Sequence, residues 1–155
     1  MPLAPSLTPF AVACDQIGAD LIAQTPSSEA SIPYVRSEGE DDHYGESGHR
    51  SFWFEWLGYE TIGARTAALA LIEHQFVLRI RFHALSKTVR SMPNDVQGDA
   101  IIIQRLINQR EVYPAANAAG AVRHVRAYRA DISYEGKNAI LNLHCGAFTH
   151  EVTNP

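Results

Sequence analysis

The chain is poor in cysteine. Among its 155 residues only Cys14 and Cys145 occur, far apart and without a CxxC unit. That excludes a disulfide framework and a cysteine-based zinc module, and points to two buried free thiols in a reducing compartment. Basic residues are absent from residues 1 to 35, Arg36 being the first. A start without a basic segment is not expected to act as a secretory signal. The AVAC run at residues 11 to 14 shares its helical pattern with Asp15 and Asp20, which argues against a lipid anchor. No apolar run approaches the roughly 18 residues of a spanning helix, so no membrane partner is expected. Catalytic and nucleotide signatures are missing as well: there is no GxSxG, no P-loop and no GxGxxG. Internal repeats and low-complexity tracts are also absent. From these absences no enzyme activity and no cofactor are expected.

What remains has an ordinary globular balance, with 46% apolar and 19% charged residues. The length suits one domain spanning residues 1 to 155. The formal net charge of −4 does not suggest a dedicated nucleic-acid binder.

Periodicity supplies the element order. Residues 1 to 6 form a Pro-rich lead-in. Thr8 and Pro9 read as a helix N-cap and first position, and Leu7, Phe10, Cys14, Ile17 and Leu21 then form one apolar stripe up to about Gln24. Residues 31 to 37 suit a short strand. Residues 37 to 49 hold five acids and three glycines and are expected to be a flexible acidic loop. The aromatic run from His49 to Tyr59 suits a strand, and residues 58 to 63 suit a turn. From Ala68 to Ala84 the even positions are mainly apolar, while Arg79, Arg81 and His83 share the odd face. That reads as a long hairpin arm, with a short helix over residues 67 to 73 as the alternative. A second apolar stripe, Val96, Ala100, Ile103 and Ile107, predicts a helix to about Arg110. Residues 114 to 120 are a small-residue loop. Two strands joined by an EGKN turn finish the chain. The fold class expected is α+β: a mainly antiparallel sheet with a long hairpin, an N-terminal helix and a second helix packed on one face.

Metal readings are weak. His144 and His150 share a strand face but lie about 20 Å apart, and the run from Asp41 to His49 lacks the spacing of a calcium loop. No metal is expected. The arginines say more. Arg79 and Arg81 line one strand, and Arg123, Arg126 and Arg129 sit on another. Guanidiniums this dense need water, acidic partners or phosphates. Asp41 and Asp42 could supply the partner, within the chain or from a neighbouring copy.

The order helix, RSFWFEW strand, VLRIRFHAL strand, AIIIQRLINQR helix and AVRHVRAYRADISYEG–NAILNLHCGAF strand pair resembles the tail terminator or tail-completion proteins of tailed bacteriophages. The resemblance covers about residues 5 to 150. It implies a virion structural protein that forms an oligomeric ring, usually of six subunits, at the head–tail junction. Such a ring caps the tail tube and joins it to connector or stopper proteins. DNA passes through its lumen without sequence-specific binding, and assembly takes place in the host cytoplasm. The family offers no catalytic residues to carry over. The alternatives are a head–tail stopper or adaptor, a DNA-binding module using Arg123, Arg126 and Arg129, and a small cytoplasmic ligand-binding protein or enzyme. The last would place His74 or His83 with Tyr128 in a pocket between sheet and helices.

Strand parity divides the aromatic block. Phe52, Phe54 and Trp56 share one face, and Trp53 and Glu55 share the other. The first face is expected in the core. Trp53 is then either a subunit-interface anchor, with Trp53→Ala impairing assembly more than folding, or a residue covered by the N-terminal helix. The candidate interface residues are thus Trp53, Glu55, Arg79, Arg81, Arg123, Arg126, Arg129, Asp41 and Asp42.

Overall fold

A computed structural model describes residues 9–27, 32–37, 49–64, 69–83, 92–110, 121–135 and 138–152. The expected lead-in, the acidic run with Asp41 and Asp42, and the 114–120 loop lie outside the described residues. The elements are α1 (Pro9–Ala23), β1 (Val35–Arg36), β2 (Ser51–Ala64), β3 (Leu69–His83), α2 (Met92–Gln109), β4 (Ala121–Glu135) and β5 (Asn138–Val152). They form one open five-stranded sheet in the order β1-β2-β3-β5-β4. Only the short β1–β2 pairing is parallel. The α+β class expected from the periodicity is the class observed.

The helices cover one sheet face because both carry an apolar stripe at helical spacing. Ala13, Ile17 and Leu21 from α1 and Val96, Ile103 and Ile107 from α2 are fully buried against Phe52, Phe76, Leu78, Ile80, Phe82, Leu141 and Leu143. Each such side chain contributes about 1.5–3 kcal/mol by leaving water. The even positions of β3 supply the centre of this core, as the alternation predicts. Both thiols are buried there and free, and burial pushes the Cys145 thiol up to about 12.

One expectation needs correction. Residues 58 to 63 do not turn the chain: β2 continues to Ala64, with ladder irregularities between Trp56 and Gly58 and between Thr61 and Gly63. The glycines that resembled turn signals serve bulges instead, and Gly58 takes the φ of 129° that a side chain would resist. The expected hairpin arm is observed as strand from Leu69 on, so over residues 69 to 73 the strand reading holds and the helical alternative does not. Pairing with β5 along the whole of β3 outweighs the helix propensity of its alanine-rich start.

One buried ion pair ties the layers together. Arg50 and Asp99 are fully buried, with Nε 2.9 Å from Oδ2. Arg50 also donates from Nη1 to the Ile32 carbonyl (3.1 Å), while Asp99 Oδ1 accepts from the Ser27 amide (2.8 Å). Arg50 adopts a left-handed φ of 60°. That conformation costs a non-glycine residue about 1–3 kcal/mol unless its surroundings fix it. They do so here: its amide donates to the Arg81 carbonyl and its carbonyl accepts from Val35. The arginine that opens RSFWFEW therefore sets where β2 begins.

Candidate assembly interface

The sheet face away from the helices holds most of the candidate residues. Pairing places Trp53 beside Arg79 and Asn142, with Asp131 next, and Glu55 beside Val77, His144 and Arg129. These side chains form a polar network across four strands. Arg79 donates from Nε to Glu55 (2.6 Å) and from Nη1 to Asn142 (2.6 Å). Asn142 donates to Asp131 (2.9 Å) and Ser133 (3.0 Å). Asp131 also meets His144 at 2.8 Å and Arg129 at 3.1 Å. Asn142, and behind it His144, hold the Asp131 carboxyl below the usual carboxylate range. Arg79 and Arg129 thus find acidic partners inside the chain, Arg79 on the neighbouring β2 and Arg129 on its own strand.

Trp53 is only 6% exposed, and the Arg81 guanidinium lies over its ring at 5.4 Å. Its face is opposite the helices, so neither an exposed anchor nor cover by α1 describes it. Arg81 is itself buried. The contact between the Arg81 guanidinium and the indole is one that a reading by residue type alone does not anticipate. The exposed tryptophan is Trp56, at 51%. It sits on the helix-bearing face, level with the buried Phe76 that Phe10 of α1 meets at 5.2 Å, but one strand further out towards the sheet margin. Its indole N–H donates to His74 Nδ1 (3.2 Å), and Tyr59 stacks on it. Leu57, Tyr59 and Ile62 on the same strand are also exposed. Sequence reasoning assigned Trp56 to the core because parity gives the face, not how near the strand lies to the sheet margin.

The two edges of the sheet differ. Beyond Phe52, none of the described residues pairs with the outer edge of β2. On β4 the outward amide and carbonyl of Ala127 are occupied. Asn108 of α2 accepts from the Ala127 amide (2.8 Å) and donates to its carbonyl (3.2 Å), and Gln104 adds a second donor at 3.3 Å. The Asn108 amide group stands in for a partner strand at that one residue.

A groove of about 330 Å³ opens on the bare face beside β4, lined by Glu73, Gln75, Arg126, Tyr128, Gly146 and Phe148. A Cβ at Gly146 would stand 2.5 Å from Glu73 Oε1, so the glycine makes room for that carboxylate. The register irregularity after Ala127 makes Tyr128 an extra residue, and its ring lies 6.5 Å from that of His144. Tyr128 thus faces away from His74, which stacks on Phe10 of α1, so the two do not share a pocket. Among the described residues no group of three His, Cys, Asp or Glu side chains could hold a metal ion. No helix among them is long and apolar enough to cross a membrane. The side chain of Arg123 lies outside what the structure describes.

No family model matches this chain, and no curated protein matches it significantly.

Proposed function

We propose that this protein is a virion structural subunit that forms an oligomeric ring at the head–tail junction of a tailed phage or phage-like particle, as a tail terminator capping the tail tube. The observation that carries the reading is the exposed apolar run along the outer edge of β2. Trp56, Leu57, Tyr59 and Ile62 are each about half exposed or more, on a strand whose outer edge pairs with none of the described residues beyond Phe52. Large apolar side chains gathered on an open edge mark a surface that another chain covers. The family resemblance supplies the kind of assembly, the six-fold count and the neighbours, namely the tail tube protein and the connector or stopper. The negative net charge suits a ring through which DNA slides, because tight binding needs phosphate neutralisation. Imaging particles that carry a labelled copy tests the reading. Label at the neck supports it; label at the tail tip or across the capsid lattice overturns it.

A further inference from the structure

We infer that copies of this chain join edge to edge, with β2 of one copy against β4 of the next, so that one sheet runs through the assembly. This pairing rests on the assembly reading above and adds the surface that makes it.

Three observations point to it. The first is direction. Between β2 and β4 lie three antiparallel steps, β2–β3, β3–β5 and β5–β4, so the two edges run in opposite senses. A second copy in the same orientation therefore offers β4 antiparallel to β2. Such a contact is head-to-tail, the kind that closes rings.

The second is the match of irregularities. Following residue pairs across the sheet puts Trp56 level with Phe76, Cys145 and Ala127, and Thr61 level with Ile72, Thr149 and Val122. Each edge strand breaks register at both levels: β2 after Trp56 and after Thr61, β4 after Ala127 and after Val122. The stretches between breaks, Gly58–Thr61 and His124–Ala127, are thus the same length and offset by only one residue level, so the two edges come back into step beyond each break. Ala127, whose outward groups Asn108 occupies, falls level with Trp56 beside the β2 break. No ladder bond is needed there, and pairing proceeds on either side of it.

The third is charge. From Trp53 to Ala64, β2 carries Glu55 and Glu60 and no basic residue, whereas β4 from Ala121 to Ala130 carries Arg123, Arg126 and Arg129 and no acidic one, its acids Asp131 and Glu135 lying further on. The same level-by-level tracing puts Glu55 level with Arg129, and Glu60 level with His124 next to Arg126. Among the described residues Glu60 and Arg126 have no ion-pair partner. A β2–β2 contact would oppose acid to acid and a β4–β4 contact base to base, and like charges across a ladder destabilise it. Only the mixed pairing matches charge, as a head-to-tail ring requires.

The test is a cysteine pair, Glu60→Cys with His124→Cys, in the assembled protein; Cys14 and Cys145 are buried and serve as silent background. Antiparallel neighbours bring Cα atoms within disulfide reach. Mild oxidation is expected to give a ladder of covalent multimers from the double variant, and no cross-links from either single variant. A covalent dimer from Glu60→Cys alone, or no ladder from an assembled double variant, overturns the pairing. A charge exchange covers a variant that fails to assemble. Glu60→Arg is expected to weaken self-association about tenfold, and Arg126→Glu in the same chain to recover most of it. No recovery counts against the pairing. A wild-type chain that stays monomeric at every concentration and is absent from particles removes the assembly reading itself. An assembled wild type with no ladder and a silent exchange removes only the edge pairing.

Discussion

The central ladder and the edge ladders of this sheet are built differently. β3 and β5 pair through 15 consecutive residues, Leu69 with Val152 to His83 with Asn138, without a register shift. Each edge ladder breaks twice. The inner pair alternates cleanly and buries one face under helices, which pins its register, because a slip of one residue would turn every apolar side chain outward. The edges carry bulges, glycines and exposed aromatics, features that re-aim side chains and limit indiscriminate pairing. Folding information is thus concentrated in the centre of the sheet and contact information at its margins.

Substitutions can break that contrast. Phe76→Ala, at the middle of the central ladder, is expected to cost about 3–5 kcal/mol of folding stability. Trp53→Ala belongs with it as a folding variant, since its ring is covered within the monomer. Urea unfolding of the two variants checks both; a Trp53 variant as stable as wild type returns that residue to the interface. Asn108→Ala comes next. Ala127 is nearly fully buried, so two of its backbone groups lose their partner, at about 1–3 kcal/mol. The same variant exposes a strand edge and is expected to raise non-specific association, read by sedimentation. Ile62→Ser should change monomer stability by only about 0.5 kcal/mol, while reducing assembly. A loss of folding equal to that of Phe76→Ala would erase the distinction between centre and edge.

The smallest effect concerns pH. The folded pKa of Asp131 is depressed, chiefly by the Asn142 hydrogen bond and then by His144. Its contribution is therefore present above the ordinary carboxylate range and fades as pH falls through the lowered value. Asp131→Asn is expected to lower stability slightly at neutral pH and to flatten the acid limb, so that variant and wild type converge as pH falls. A loss of the same size at low and at neutral pH would contradict this assignment.

The centre was also the more legible part in the sequence. Even positions from Ala70 to Phe82 and odd positions from Ala139 to Ala147 announced both inner strands, and the apolar stripes announced both helices. The edges were less legible for a physical reason. Gly58 and Gly63 are the same residue type whether they close a turn or relieve a bulge, and only the partner strand decides. Trp53 and Trp56 exchanged roles because strand parity assigns faces, while burial depends on how near a residue lies to the sheet margin and on Arg81 of the adjacent strand covering the Trp53 ring. Arg50 and Asp99 gave no signal, being 49 residues apart and unremarkable in type. Arg79, Glu55 and Arg129 were singled out by charge alone; their partners Asn142 and Asp131 emerged only with the register.

Amide hydrogen exchange, compared between the monomer and the assembled state, tests the edge account most directly. Protection is expected to rise at residues 58 to 64 of β2 and 121 to 126 of β4, which the pairing sets opposite each other, and to stay unchanged along the β3–β5 ladder, which is already paired. Assembly that protects the outer faces of α1 and α2 while leaving both edges exchanging as in the monomer would contradict it.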